Sequence, residues 1–426
     1  MKSIILSIGD ELVLGQTVDT NSAWLSEQLA AVGCDIAGHA TVPDDQTMIE
    51  EAIRSAASRC DVLIVSGGIG PTEDDLTRQA LGVVMGVDLE MNPVWLARLG
   101  EFWSKRNAVM PEINKIQAMI PRGATMIDNS AGTAAGIRAR LNGSCDVFVM
   151  PGVPKEMKIM FTKDVLPHVR QASGGAVILS RKLNTFGVGE SAVAEKLGPL
   201  MKRGNNPSVG TTVANGIVSL RLNARFSSLA EAREQLENTT TACQAALGDL
   251  IYSRDEKSLP HVVADLLRGG EKKLTVCTAE SCTGGLLAKM LTDLPGSSAF
   301  FTQGWVTYSN LSKYERLGVA TDVINVYSPV SEPVAEAMAK NARRLAKSTY
   351  ALSITGVAGP DGGNAIRPVG TVVIGLARPD PADRAGSLTT TRSFQFTGDR
   401  DMVRDRAAKM ALTILRFELM GKPLPF

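Results

Sequence analysis

Ser281 stands in Thr278-Ala279-Glu280-Ser281-Cys282-Thr283-Gly284-Gly285, a stretch that follows an apolar strand and precedes a helical pattern over 286–291. A serine at such a junction is a candidate nucleophile. The glycines let a ligand approach the backbone, and the start of the helix offers unpaired N–H groups and positive partial charge for an oxyanion or a phosphate. A serine needs a base, and the chain is poor in the usual one. Its three histidines, His39, His168 and His261, lie far apart in unlike contexts. They form no HExxH, no zinc-ligand spacing and no convincing Ser-His-Asp set. A lysine takes that role when burial lowers its pKa. Lys313 closes the run Gly304-Trp305-Val306-Thr307-Tyr308-Ser309-Asn310-x-x-Lys313.

Local pattern leaves plain alternatives for each of these residues. Ser281 or Thr283 could be only a helix N-cap, and Lys313 only a solvated surface lysine. Tyr308 could orient the pair or pack with its hydroxyl in water. A third loop, Thr355-Gly356-Val357-Ala358-Gly359-Pro360-Asp361-Gly362-Gly363, follows a strand and is suited to cradling a ligand on backbone groups. Arg400, at the start of the last helix, could clamp a phosphate or carboxylate, or close a helix-start salt bridge. Cys282 is a weaker nucleophile candidate, because its side chain should turn away from that of Ser281.

A second group of residues lies in the amino-terminal part. Gly9-Asp10-Glu11, Asp44-Asp45 and Gly67-Gly68-Ile69-Gly70-Pro71-Thr72-Glu73-Asp74-Asp75 all fall at or just beyond strand ends. Glycines followed by paired carboxylates suit a phosphate on backbone amides with Mg²⁺ beside it. Asp74-Asp75 could equally be a helix-start charge pair.

Parallel α/β sheets are the elements that would position such loops. Apolar strands are expected at 2–8, 61–65, 146–150, 274–277, 351–354 and 371–377, with an extended stretch over 34–41. Helical patterns are expected from Asn21, capped by Thr20 or Asn21, and over 44–58, 77–85, 156–161, 229–247, 259–267 and 401–419. The fold class is α/β: two α/β domains with mostly parallel sheets, residues 1–170 and 257–426, joined by a small α+β module over 171–256. Breaks are expected at Ala172-Ser173-Gly174-Gly175 and at Gly269-Gly270-Glu271-Lys272-Lys273.

Composition narrows the function classes. The 426 residues suit about three domains. Lys and Arg (45) nearly balance Asp and Glu (44), and aromatics are 5%, so strong nucleic-acid binding is not expected. Six cysteines without a CxxC read as reduced thiols. With no run long enough for a signal peptide or membrane span, the expectation is a soluble cytoplasmic protein.

The carboxyl-terminal motifs, taken together, resemble those of the CinA (competence/damage-inducible) family. The matching stretches are TAESCTGG, PGSS, G-x-V-x-YSN-x-x-K, VSEPVAEAMA, TGVAGPDGG, PVGTV and GDRD-x-VR, in the family order over roughly 258–420. The resemblance implies a nicotinamide mononucleotide deamidase, yielding nicotinic acid mononucleotide and ammonia without a cofactor. It assigns Ser281 as nucleophile, Lys313 as its base and Tyr308 as their partner. Thr283, Gly284, Gly285, Thr355, Gly356 and Arg400 are the substrate-binding candidates, and amides near Thr283-Gly284 or Thr355-Gly356 are open choices for the oxyanion.

The stretches IGDE-x-x-x-GQ-x-x-DTNS, Asn114-Lys115-x-Gln117-Ala118, PRGA, GTAAG and PGVPKEM look like the molybdopterin-binding-type domain of the same family. That resemblance implies an ADP-ribose pyrophosphatase dependent on a divalent metal, Mg²⁺ or Co²⁺. Asp74, Asp75 and Asp10 are the metal candidates, Asp44 is a lesser one, and Gly67, Gly68 and Lys115 are the substrate contacts. Ala135 replaces a proline common at that place and is expected to loosen the loop. The middle module, with Gly187-Val188-Gly189-Glu190-Ser191, is expected to act as spacer or dimer interface within a homodimer. The alternative to an enzyme is a nucleotide- or pterin-binding scaffold linked to competence or DNA damage, without catalysis.

Overall fold

A computed structural model describes residues 1–173, 177–254, 257–270, 273–383 and 386–426. Gly174 and Gly175 of the first expected break, Glu271 and Lys272 of the second, and residue 256 at a proposed boundary lie outside the described residues. The fold is α/β with mostly parallel sheets. It divides into two compact units, Met1–Leu179 with Ala224–Gln235, and Ser180–Asn223 with Leu236–Phe426.

The first unit is built on a six-stranded sheet in the order Asp35–Val42, Lys2–Ile8, Val62–Ser66, Cys145–Met150, Gly136–Leu141, Thr125–Ile127. The first four strands are parallel, and the last two add antiparallel. The period-two geometry of a strand sends alternate side chains to opposite faces, and helices cover both. Ile4, Leu6, Leu63, Val65, Val147 and Val149 therefore enter one core. Ile5, Val62, Ile64, Phe148 and Met150 enter the other.

The helix Thr20–Ala31 is capped by Asp19, not by Thr20 or Asn21. The Asp19 carboxylate accepts the Ser22 amide at 2.9 Å and the Ser7 hydroxyl at 2.7 Å, and it also holds the Ser22 hydroxyl. Asn21 is buried instead, its amide donating to Ser66 Oγ and the Gly152 carbonyl. A carboxylate one residue earlier outcompetes it because it reaches the first-turn donors and a neighbouring strand together.

The second unit carries a five-stranded sheet in the order Phe301–Val306, Val276–Glu280, Tyr350–Gly356, Thr371–Pro379, Ser387–Gln395. The first three strands are parallel, and the last two are antiparallel. The strand expected over 274–277 begins two residues later and runs to Glu280, which puts Ser281 immediately past its carboxyl end. Leu352, Ile354, Val372 and Ile374 pack with Val403, Ala407 and Ala411 of the helix Arg400–Leu419. Cys277, Ala279 and Ala351 face Val334, Met338 and Ala342 of the helix Glu332–Ala346. The middle module forms a four-stranded sheet, Ser208–Ala214, Ile217–Phe226, Val177–Phe186, Ile251–Ser253, with the helix Leu229–Leu247. All six cysteines are free and buried. Among the described residues no helix is long and apolar enough to cross a membrane.

Burial pushes the Asp19 carboxyl up, but its hydrogen bonds to Ser22 and Ser7 outweigh that and leave it below the usual aspartate value. A carboxyl depressed in the folded state stabilises fully above its unfolded pKa, and that contribution disappears as pH falls through the folded pKa. Asp19→Ala is expected to cost about 1–2 kcal/mol at neutral pH. The difference from wild type should shrink in the acid range, as read by urea unfolding at a series of pH values.

Candidate active site

The loops expected to carry chemistry in the second unit meet at the carboxyl ends of its three parallel strands. The connection from Val276–Glu280 leads to one neighbouring strand, and the next connection crosses back to the other. Such a point is where α/β sheets open a crevice. The Ser281 amide donates to the Ile354 carbonyl at 2.9 Å, and Thr307 N donates to the Glu280 carbonyl at 2.7 Å. These bonds tie the serine turn to the strand ends on either side.

Lys313 lies on the helix Asn310–Leu317, whose start is fixed by a capping box between Ser309 and Ser312. Three residues past Asn310, the lysine points inward. It is 1% exposed, and its Nζ donates to Ser281 Oγ and to the Thr307 carbonyl, each at 3.0 Å. Ser281 is 8% exposed. Among the described residues Lys313 forms no ion pair. Burial therefore acts unopposed by a carboxylate and lowers its pKa below the ordinary lysine value. In the neutral amine one N–H still satisfies Thr307, and the lone pair faces the serine hydroxyl. Lys313 is thus no surface lysine.

Ser281 and Thr283 are not caps either. The helix Leu286–Thr292 is capped from below by Glu280, a fully buried residue of the strand. Its two carboxylate oxygens accept Leu287 N at 3.0 Å and Ala288 N at 2.8 Å. The charge that the helix start attracts is therefore Glu280 itself. The Gly284 amide closes back on the Ser281 carbonyl at 3.0 Å. Among the described residues no backbone acceptor takes the amides of Thr283 and Gly285, while the Cys282 amide faces its own thiol. Thr355 and Gly356, the other choice for an oxyanion site, belong to the antiparallel ladder with Val373 and Val372. The Thr355 hydroxyl goes to the Pro329 carbonyl at 2.8 Å. The Thr283 and Thr307 hydroxyls are fully buried and lack a partner among the described residues.

Tyr308 is exposed, and its hydroxyl accepts from Arg400 Nη2 at 2.7 Å. Nη1 of the same arginine donates to the Gly359 carbonyl at 2.7 Å. Arg400 closes no salt bridge among the described residues; it joins the tyrosine loop to the glycine loop. The hydrogen bonds of the Ser281–Lys313 pair do not include the Tyr308 hydroxyl. Burial pushes the Cys282 thiol up to about 12, which removes it as a nucleophile near neutrality.

In the first unit, a cavity of about 410 Å³ opens at the strand ends and is lined by Gly9, Glu11, Asp44, the turn 67–72, Asp74, Asp75 and Gln117. Gly67 and Gly68 have φ of 115° and 67°. A Cβ on Gly67 would strike the Ile8 carbonyl, and one on Gly68 the Thr77 hydroxyl. Asp75 folds back under this turn and accepts Gly70 N at 2.6 Å, Thr72 N at 2.9 Å and the Thr72 hydroxyl at 2.5 Å. Both of its oxygens are engaged, so it shapes the loop. The Asp10 and Asp44 carboxylates each accept the other's backbone amide. Burial, then the Asp10, Asp74 and Glu11 charges, push the Asp44 carboxyl above the usual range. Among the described residues no three His, Cys, Asp or Glu side chains converge as a metal site. The donor set Asp74, Asp75, Asp10 does not form. Lys115 pairs with Glu112 at 2.6 Å and does not line the cavity, whereas Gln117 does. In the GTAAG loop the place of the proline is taken by Ala135. That residue is buried beside Trp95 and Leu99, and Asn129 ties the loop through Ala131 N, Gly132 N and the Ala134 carbonyl.

A competence-damage inducible protein of Symbiobacterium thermophilum is 39% identical over 426 residues, covering 98% of both chains. The chain belongs to the CinA family. A CinA-like protein of Geobacter sulfurreducens is 41% identical across 99% of this chain and 100% of its own. Residues 256–419 match the CinA C-terminal domain, 4–171 a family described as a probable molybdopterin binding domain, and 180–253 the damage-inducible protein CinA KH domain. Among solved structures, the protein CinA with unknown function from Thermoplasma acidophilum is 31% identical. It covers 39% of this chain and 99% of that one, with a TM-score of 0.36.

Sequence reasoning missed Glu280 as the helix cap, although the residue stands directly before the serine. Glu280→Ala would leave two buried N–H groups without an acceptor and is expected to cost about 3 kcal/mol. Glu280→Gln, which keeps one acceptor oxygen, should cost less. Urea unfolding of both variants checks the order.

Proposed function

We propose that the CinA C-terminal domain hydrolyses the carboxamide of nicotinamide mononucleotide to nicotinic acid mononucleotide and ammonia. The carrying observation is the buried contact of 3.0 Å between Ser281 Oγ and Lys313 Nζ, with no carboxylate on the amine. The choice of substrate is supported by family membership and by the motif resemblance.

Neutral Lys313 accepts the Ser281 proton as Oγ attacks the carboxamide carbon. The carbonyl oxygen becomes an oxyanion beside the turn amides of Cys282 and Thr283. The C–N bond then breaks as Nζ returns that proton to the departing amine, releasing ammonia and leaving an ester on Ser281. Water attacks the ester and gives a proton to Nζ. Collapse restores the serine hydroxyl and frees the acid. Arginine cannot serve in this cycle because it stays protonated.

For the amino-terminal cavity we infer binding of ADP-ribose, with its phosphates on the Gly67–Gly70 turn. Because the expected carboxylate set does not assemble, no bond-breaking step is assigned there. Calorimetry with ADP-ribose should show binding that Asp75→Ala weakens at least about tenfold through loss of the turn. Equal affinity in the variant would remove the turn from the site.

Ammonia release from the mononucleotide is expected in wild type and absent in Ser281→Ala and Lys313→Arg, with both variants folded. The rate should rise with pH as Lys313 loses its proton, with an inflection below the ordinary lysine value. Release by Ser281→Ala at the wild-type rate would sink the mechanism. No release by wild type would favour a binding scaffold.

A further inference from the structure

Arg404 lies one turn into the helix Arg400–Leu419, yet its guanidinium reaches a residue 121 positions away. Nη2 donates to the Thr283 carbonyl at 3.0 Å. Its contact with Asp401 is longer, 3.5 Å, and that carboxylate is 91% exposed, so it fixes little. The Arg404 Nε is buried without a partner among the described residues. The Thr283 carbonyl is therefore the main group this cation holds.

The turn needs such a hold. Gly284 and Gly285 have φ of 60° and 92°. Without a Cβ, both cross φ space at little cost. The Thr283–Gly284 peptide unit can then rotate about its own axis and interchange its carbonyl and N–H directions. In the observed state, the Gly284 amide closes on the Ser281 carbonyl, and the Thr283 carbonyl accepts both Arg404 and, at 3.2 Å, the Leu286 amide. Among the described residues the Thr283 amide keeps no backbone acceptor. After rotation the Thr283 carbonyl would face the Ser281 carbonyl, and the repulsion between the two oxygens would open the turn and displace the Thr283 amide from the developing oxyanion, which opposes catalysis.

We infer that Arg404 is a positioning residue for the serine turn: it locks the Thr283–Gly284 peptide so that the turn stays closed and the Thr283 amide stays beside the developing oxyanion. This inference rests on the amidase reading above. Glu280 holds the far end of the same segment through Leu287 and Ala288. Arg404 acts on the part between that anchor and Ser281, where the two glycines leave the backbone to the turn bonds from Gly284 N to Ser281 and from Leu286 N to Thr283.

The experiment uses the full chain with nicotinamide mononucleotide as substrate. Arg404→Met should lower kcat about 100-fold, the scale for small misplacement of reacting groups. KM and the melting temperature should stay near wild type. Arg404→Lys should recover part of the rate. Guanidinium ion added at non-denaturing concentration should raise the turnover of Arg404→Ala and leave wild type unchanged. Labelling of Ser281 by a fluorophosphonate also passes through an oxyanion and should slow in Arg404→Met. That readout bears on Arg404 even where the mononucleotide is not turned over, so failure of the substrate reading and failure of this inference are separable. A raised KM with unchanged kcat would mean that Arg404 grips substrate instead. Unchanged kcat and labelling in Arg404→Met would overturn the inference outright. So would a rate loss that only tracks a lowered melting temperature and is not rescued by lysine or guanidinium.

Discussion

The buried meeting of Lys313 and Ser281 is the constraint on which the strand-end crevice of the second unit depends. An ammonium taken out of water without a counter-charge is unfavourable, and the simplest relief is loss of its proton. The surroundings allow that relief. The nearest acceptors are a hydroxyl and the Thr307 carbonyl. The one fully buried carboxylate on this strand end, Glu280, is turned to helix amides. Had Glu280 paired with Lys313, the lysine would stay protonated and the serine would lack a base. The same sequence segment thus supplies both the proposed nucleophile and the means of keeping a negative charge off its partner.

The elements around the pair follow from this requirement. Lys313 must arrive at the strand ends with its whole stem buried, so its helix needs a fixed start; the Ser309–Ser312 capping box provides one. Ser281 must leave the sheet at a set angle. Its amide is bonded to Ile354, and the next strand over sends Thr307 back to Glu280. The loops that look most flexible by composition are held by side chains from distant positions. Arg400 joins the Tyr308 and Gly359 segments, and Arg404 holds Thr283.

Sequence made visible the pieces whose chemistry is intrinsic or whose pattern is local. The strand–glycine–helix alternation revealed both sheets' parallel centres, and the scarcity of histidine directed attention to Lys313. The antiparallel strand Gly136–Leu141 went unnoticed, although Ile137, Ala139 and Leu141 alternate with two arginines in a readable period of two. Ser387–Gln395 is mostly polar and gave no such signal. Roles set by direction were not legible. Asp75 has the residue type and neighbours of a metal ligand, and only the geometry shows its oxygens turned to Gly70 and Thr72. Glu280 reads as one more residue of a motif, because nothing in a string of letters says which way a buried carboxylate faces. Tyr308 was expected at the dyad, but a side chain on an exposed loop is placed by its partner, here Arg400.

Both units solve one problem in the same physical way. A ligand bound through backbone amides needs glycine for close approach, and glycine removes the restraint that would hold those amides still. In the first unit Asp75 and Thr77 hold the Gly67–Gly70 turn from beneath, the threonine hydroxyl bonding the Gly67 carbonyl at 2.9 Å. In the second, Glu280 and Arg404 hold the Ser281–Gly285 turn. The charged residues near each turn are therefore better understood first as restraints on the backbone, and only where an oxygen or nitrogen is left unengaged as groups that touch a ligand. By that criterion Asp75 and Glu280 are restraints first. Under the proposed readings Gln117, which lines the first cavity, and the Thr283 amide are the groups that would meet a ligand.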